Sequence, residues 1–78
     1  MKTTLYFENN VRTRRSFLKD EWIEFTIANP VHTEVQADGR MRKWAFIAEL
    51  EKYLRVVTLA DGETVLNTFP DRNFKGRK

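Results

Sequence analysis

The spacing of apolar positions changes near residue 30. Before it, Trp22, Ile23, Thr26 and Ile27 recur at the i, i+4 spacing of one helical stripe, which predicts a helix over residues 19–29. Asp20 and Glu21 suit the positive end of its dipole, and Pro30 disfavours helical backbone at Asn29, so the helix stops there. Upstream, Asn9 or Asn10 can cap a short first helix that ends at Arg15. Residues 3–7 are apolar and β-prone, which predicts a short N-terminal strand.

After residue 30 the period is two. Val31, Thr33 and Val35 alternate with His32, Glu34 and Gln36, and Asp38-Gly39 then supplies a two-residue hairpin turn. Residues 40–48 make the return strand, residues 49–52 a polar loop, and residues 53–59 a β-branched third strand. Asp61-Gly62 is a second two-residue turn, and residues 63–69 close the last hairpin. The predicted fold is α+β: two N-terminal helices packed on one face of a four-stranded antiparallel meander sheet, with the short N-terminal strand beside it.

These turns predict a register. Thr33 pairs with Trp44, Val31 with Phe46 and Val57 with Leu66, and a four-residue middle loop sets Trp44 opposite Val57 and Phe46 opposite Arg55. One face then holds Val31, Val35, Trp44, Phe46, Val57, Leu59 and Leu66 and receives the helical stripe. The other, open face holds His32, Glu34, Gln36, Lys43, Thr58 and Asn67. A one-residue slip in a loop moves a strand's side chains to the opposite face.

The chain has 78 residues, enough for one domain with a small core. Hydrophobic residues are 41% and charged residues 32%, a globular balance. Six Phe, two Trp and two Tyr supply large side chains to a fold with few core positions. Cysteine is absent, which excludes disulfides, thiolate nucleophiles and cysteine-ligated zinc. With one histidine there is no metal-ligand constellation, and the isolated glycines form no phosphate-cradling loop, so no cofactor is expected. No stretch reaches the roughly 18 apolar residues of a membrane span, and residues 1–10 hold no secretory core. The expected compartment is the cytoplasm.

The net charge is +3, but the cations are grouped. Arg12, Arg14, Arg15 and Lys19 form one cluster and Arg40, Arg42 and Lys43 a second. Arg72, Lys75, Arg77 and Lys78 form a third, in residues 72–78, which read as a flexible basic tail. Such clusters either track nucleic-acid phosphates or coat a solvated face. The candidate binding residues are Arg12, Arg14, Arg15, Arg40, Arg42, Asn67 and Lys75.

Several stretches resemble a family of small uncharacterised bacterial proteins. They are Asp20-Glu21-Trp22-Ile23, Asn29-Pro30-Val31, Gln36-Ala37-Asp38-Gly39-Arg40 and Trp44. Tyr53-Leu54-Arg55-Val56-Val57-Thr58-Leu59, Asp61-Gly62-Glu63-Thr64 and Asn67-Thr68-Phe69-Pro70-Asp71-Arg72-Asn73-Phe74 extend the resemblance to residues 22–74. More distantly, the helix–helix–meander order and the hairpin arginines resemble the BrnT and RelE-like ribonuclease toxins. That resemblance implies a phage- or plasmid-type protein acting on messenger RNA, with RNA or the ribosome and a small inhibitor protein as partners. RelE-like toxins use basic residues on the open sheet face and near the C-terminus, often with a tyrosine or histidine there. This chain offers Arg72 and Lys75, but Phe74 stands in that region and no tyrosine follows Tyr53.

RNA cleavage needs a group to take the 2′-hydroxyl proton and cations to stabilise the phosphate. His32 is the candidate base, Lys43 and Arg72 the phosphate stabilisers, and Asn67 the group that positions a base or ribose. The plain alternative is an exposed strand histidine among unrelated polar side chains. Arg55, on the expected core side, needs a partner: Glu21 or Glu24 on the helix, or a phosphate at the sheet edge. Trp22 and Trp44 either pack in the core or stack on bases. The rival function is a non-catalytic protein- or nucleic-acid-binding module. Exposed strand edges leave both monomer and homodimer open.

Overall fold

The computed structural model describes residues 1–76. Arg77 and Lys78 of the basic C-terminal group lie outside the described residues. A π-helical segment, Phe7–Val11, runs directly into α1, Arg12–Arg14, and α2 spans Asp20–Ala28. Four strands follow: β1 His32–Val35, β2 Met41–Ile47, β3 Lys52–Thr58 and β4 Val65–Pro70. They form one antiparallel sheet in chain order, so the α+β meander read from the sequence is present. Among the described residues no helix is long and apolar enough to cross a membrane.

The expected N-terminal strand is reduced to a single parallel bridge between Thr3 and Val65. Thr4 turns the chain into helix instead: its Oγ1 accepts from Phe7 N at 3.0 Å, and its carbonyl from Glu8 N at 3.1 Å. Helical structure therefore begins before Asn9 and Asn10. Arg12 N donates to Phe7 O across the wider π turn, and Phe7 and Val11, at the two ends of that turn, are both buried.

In α2, Ile23 and Thr26 are buried and Trp22 and Ile27 pack against the core, so the predicted stripe is its inward side. Thr26 Oγ1 donates to Trp22 O at 2.9 Å, which satisfies a hydroxyl that burial would otherwise leave unpaired. The core is one cluster: Phe7, Val11, Leu18 and Ile23 from the helical half, with Ile47, Leu54, Val56 and Val65 from the sheet.

The sheet corrects the predicted faces. Gln36 N donates to Arg40 O at 2.7 Å, and Gly39, at φ +93°, donates to Gln36 O. The first hairpin loop is therefore three residues, Ala37 to Gly39, with glycine in the left-handed position such a loop needs. The extra loop residue slips the register by one, so His32, not Thr33, pairs with Trp44. The middle loop begins one residue early, at Ala48, so Trp44 lies opposite Arg55 and Phe46 opposite Tyr53. This two-residue change of register preserves parity. A bulge at Val57/Thr58 then leaves Leu66 as the extra residue and sets Asn67 opposite Val57.

Burial shows which face the helices cover: Leu54, Val56 and Thr58 face the core, along with Ala45 and Ile47. Trp44, Phe46 and Val57 share the other face with His32, Glu34, Arg42, Arg55 and Asn67. The expectation that Trp44, Phe46 and Val57 face the helical stripe is thus overturned, as is the placing of Lys43 and Thr58 on the open face.

Candidate functional site

Placing Trp44 and Arg55 opposite each other creates an aromatic–arginine layer on the second face. Arg55 leaves β3 toward two rings, its Cζ 5.6 Å from the Trp44 ring centre and 5.0 Å from that of Phe69. Arg15, at the end of α1, reaches the same Phe69 ring at 5.8 Å. Phe74 stacks on Trp44 with ring centres 4.8 Å apart and planes 10° from parallel, and it lies 5.9 Å from His32. Tyr53 meets Phe74 edge-on at 5.0 Å and Phe46 edge-on at 5.2 Å.

Pro70 ends β4, and the next residue, Asp71, ties the chain across this layer. Its Oδ2 accepts from Trp44 Nε1 at 2.9 Å and lies 3.8 Å from Arg55 Nη1, while its N–H donates to Tyr53 O at 2.8 Å. Trp44 is only 4% exposed although the helices do not cover it. It is buried by Phe74, His32 and Arg55.

Arg55 is incompletely compensated. Its side chain is 23% exposed and Asp71 stands beyond hydrogen-bond distance. Its Nε is buried without a hydrogen-bond partner among the described residues. Burial, and then the charge of Arg42, pull the guanidinium below its ordinary pKa, while Asp71 and Glu34 act in the opposite direction. An arginine still stays charged at neutral pH, so this is a partly buried cation with unused donors.

Gln36, Arg40, Arg55, Val57, Leu66 and Asn67 line a groove of about 550 Å³ beside this cation. Asn67 Oδ1 accepts from Thr68 N at 2.9 Å, which orients the amide. Arg42 is held 3.5 Å from Glu34. With its amide turned so that the oxygen faces Arg42, Gln36 accepts from Nε at 2.6 Å and Nη2 at 2.7 Å. Past the aromatic rings, Phe46, Tyr53, Asp71, Arg72, Phe74 and Lys75 line a second groove of about 310 Å³.

The structure therefore places His32, Arg40, Arg42 and Asn67 on one face, with His32 on β1 and Asn67 on β4 and two strands between them; Arg15 stands at one border and Arg72 and Lys75 at another. It separates the rest. Lys43 points to the opposite face, where its Nζ donates to Gly62 O at 3.4 Å, so it cannot act beside His32. Arg12 donates to Glu8 at 2.7 Å and to Asp20 at 2.8 Å, which raises its pKa further and makes it a brace between α1 and α2. Arg14 is exposed on the helical side. His32 Nε2 lies 3.1 Å from Glu34 Oε2.

Phe69, Asp71 and Phe74 are site residues to which the sequence assigns no role, while Trp44 and Arg55 have a binding role there only as the alternative to core packing and to a helix ion pair. Arg55 carried the signal: a lone cation between aliphatic residues marks the non-core parity of β3. Its partner is Asp71, not Glu21 or Glu24.

No protein-family model, curated protein or solved structure matches the chain. Among the described residues no group of three or more His, Cys, Asp or Glu side chains is placed to hold a metal ion. What the second face offers is planar rings, amides and guanidinium donors in one layer. Those groups suit ligands with both flat faces and negative charge.

Proposed function

We propose that this chain binds single-stranded RNA on the sheet face bearing Trp44 and Arg55, opposite the face on which α2 packs. The observation that carries the proposal is Arg55, a partly buried cation stacked on two rings with an unpartnered Nε at the edge of a groove. A phosphate in the groove would accept hydrogen bonds from the guanidinium's exposed Nη groups and add to the charge pair that Asp71 makes at 3.8 Å. Arg40 and Arg55 line the larger groove and Arg72 and Lys75 the smaller one beyond the rings. Between Arg40 and Phe46 the backbone of β2 covers about 20 Å, a span of several nucleotides. Phe46, Tyr53 and Phe69 give partly exposed rings on which bases can stack, and Asn67 and Gln36 give amides for base edges.

A second reading is RNA cleavage of the BrnT or RelE-like kind, in the cytoplasm. The His32–Glu34 contact favours it, because a carboxylate orients a histidine ring for proton transfer. Lys43 has no part in it, and Arg42 and Arg72 are the cations left for the phosphate.

Fluorescence anisotropy with an unstructured RNA oligonucleotide and a duplex of the same sequence tests the binding claim. The expected result is tighter binding of the single strand, weakening as salt rises. Absence of binding at low salt overturns it. Transcript length after incubation, with a His32→Ala variant beside the wild type, separates binding from cleavage.

A further inference from the structure

We infer that β1 is a homodimer edge, at which two copies of the chain pair antiparallel about Thr33 and join their sheets into one. The inference does not depend on what the aromatic face binds. It starts from a difference between the two edges of the sheet. At β4, Val65 N donates to Lys2 O at 2.8 Å and Val65 O accepts from Thr4 N at 3.1 Å, so the N-terminal segment covers the start of that edge, and Pro70 closes its other end. β1 has no comparable cover among the described residues. Neither Lys nor Pro, the usual guards of an edge strand, lies between Val31 and Val35.

The register fixes which backbone groups are free. Gln36 N bonds Arg40 O, so the even residues of β1 turn their N–H and C=O toward β2, and Thr33 and Val35 turn theirs outward. The side chains beside those groups are unusually apolar for a surface: Val31 is 52% exposed and Val35 67% exposed.

The sequence Val31-His32-Thr33-Glu34-Val35 is complementary to itself when reversed. With a two-fold axis at Thr33, each Val31 meets Val35 of the second copy and the two Thr33 side chains meet each other, all on one face. On the other face each His32 meets Glu34 of the second copy, in the closer, non-hydrogen-bonded type of pair. Moving the register by two residues either way sets His32 against His32 or Glu34 against Glu34. Only the Thr33-centred register sets each His32 against a Glu34 and keeps like charges apart. Thr33 N–H bonds Thr33 O of the second copy, and Val35 N–H bonds Val31 O, each twice by symmetry. Val31 N is already given to Trp44 O, so it adds no further bond. A seam this short falls well below the roughly 1,200 Å² of a stable interface, so the association is weak and concentration-dependent.

The absence of cysteine in the chain makes single-cysteine variants clean reporters. Two Thr33 Cα atoms in a hydrogen-bonded pair would sit about 5.5 Å apart, within disulfide reach. Under mild oxidation Thr33→Cys is expected to form a covalent dimer roughly tenfold or more faster than Glu49→Cys, an exposed loop control, because pairing raises the local thiol concentration. Val31→Cys and Val35→Cys should each cross-link slowly alone and rapidly when mixed. Sedimentation equilibrium of the wild type should show average mass rising toward two chains with concentration, and Val35→Lys should abolish the rise. Cross-linking of Thr33→Cys no faster than Glu49→Cys, or a single-chain mass at every concentration, overturns the inference.

Discussion

Leu54 and Arg55 are neighbours on β3, and they separate two ways of burying a side chain. Leu54 is fully buried among Phe7, Val11, Ile23 and Val56, all apolar and all mutually satisfied. Arg55 is largely covered too, yet by two rings and one carboxylate 3.8 Å away, with a donor left unpaired. The first environment gains from excluding water and asks nothing of a ligand. The second keeps an unmet electrostatic demand, which is the mark of a surface that binds something. One sheet thus divides its tasks by the parity of its residues.

Emptying the core should break the comparison from the stability side. Leu54→Ala removes a fully buried side chain and should cost about 2–5 kcal/mol, read as a fall in the urea midpoint, with the RNA affinity of the folded fraction unchanged. Arg55→Met should do the reverse. RNA affinity by anisotropy is expected to drop about 10- to 100-fold, the size of one or two charge-assisted hydrogen bonds. Its urea midpoint should stay near wild type, because Asp71 keeps its bonds from Trp44 Nε1 and Asn73 N. Phe74→Ala sharpens the picture of how the second face is covered. Losing the stacked ring should cost about 0.5–1.5 kcal/mol beyond its area and red-shift Trp44 emission, measured in a Trp22→Phe background.

The smallest effect lies in the β3–β4 loop. Asp61 accepts from Thr64 Oγ1 and from the N–H groups of Thr64 and Glu63, which lowers its pKa from 3.8 to about 2. A depressed carboxylate stabilises the fold above its unfolded value and loses that contribution as pH falls through the folded one. Asp61→Asn should therefore be slightly less stable than wild type above pH 4. The two urea midpoints should converge as pH approaches about 2.

Much of the architecture was legible in the sequence because it rests on local chemistry. Pro30 ends α2, the stripe of Trp22, Ile23, Thr26 and Ile27 is its inward side, and Asp38-Gly39 and Asp61-Gly62 mark two of the hairpin loops. The faces were less legible: which side chains of β1 and β4 share a face depends on counting loop and bulge residues, and which face the helices cover depends on packing. A loop of three rather than two residues at Gly39 moved His32 opposite Trp44, and the bulge at Leu66 moved Asn67 opposite Val57. Composition could not repair this. β2 carries Trp44 and Phe46 on one parity and Ala45 and Ile47 on the other, so both sides look apolar. The alternation puts Trp44 and Phe46 on the expected core face, whereas Trp44 is buried by residues from outside the core cluster, Phe74 among them. No local pattern announces that residues 71–76 fold back over the sheet.

The most direct test of the division between faces is an NMR titration of the labelled protein with a short single-stranded RNA at low salt. Resonances of the Trp44 indole N–H, the Arg55 guanidinium and the Asn67 amide should shift and saturate, and added salt should reverse the shifts. The methyl groups of Leu54, Val56 and Val65 should stay in place. Shifts confined to the helical side, or none at any protein-to-RNA ratio, would contradict the account.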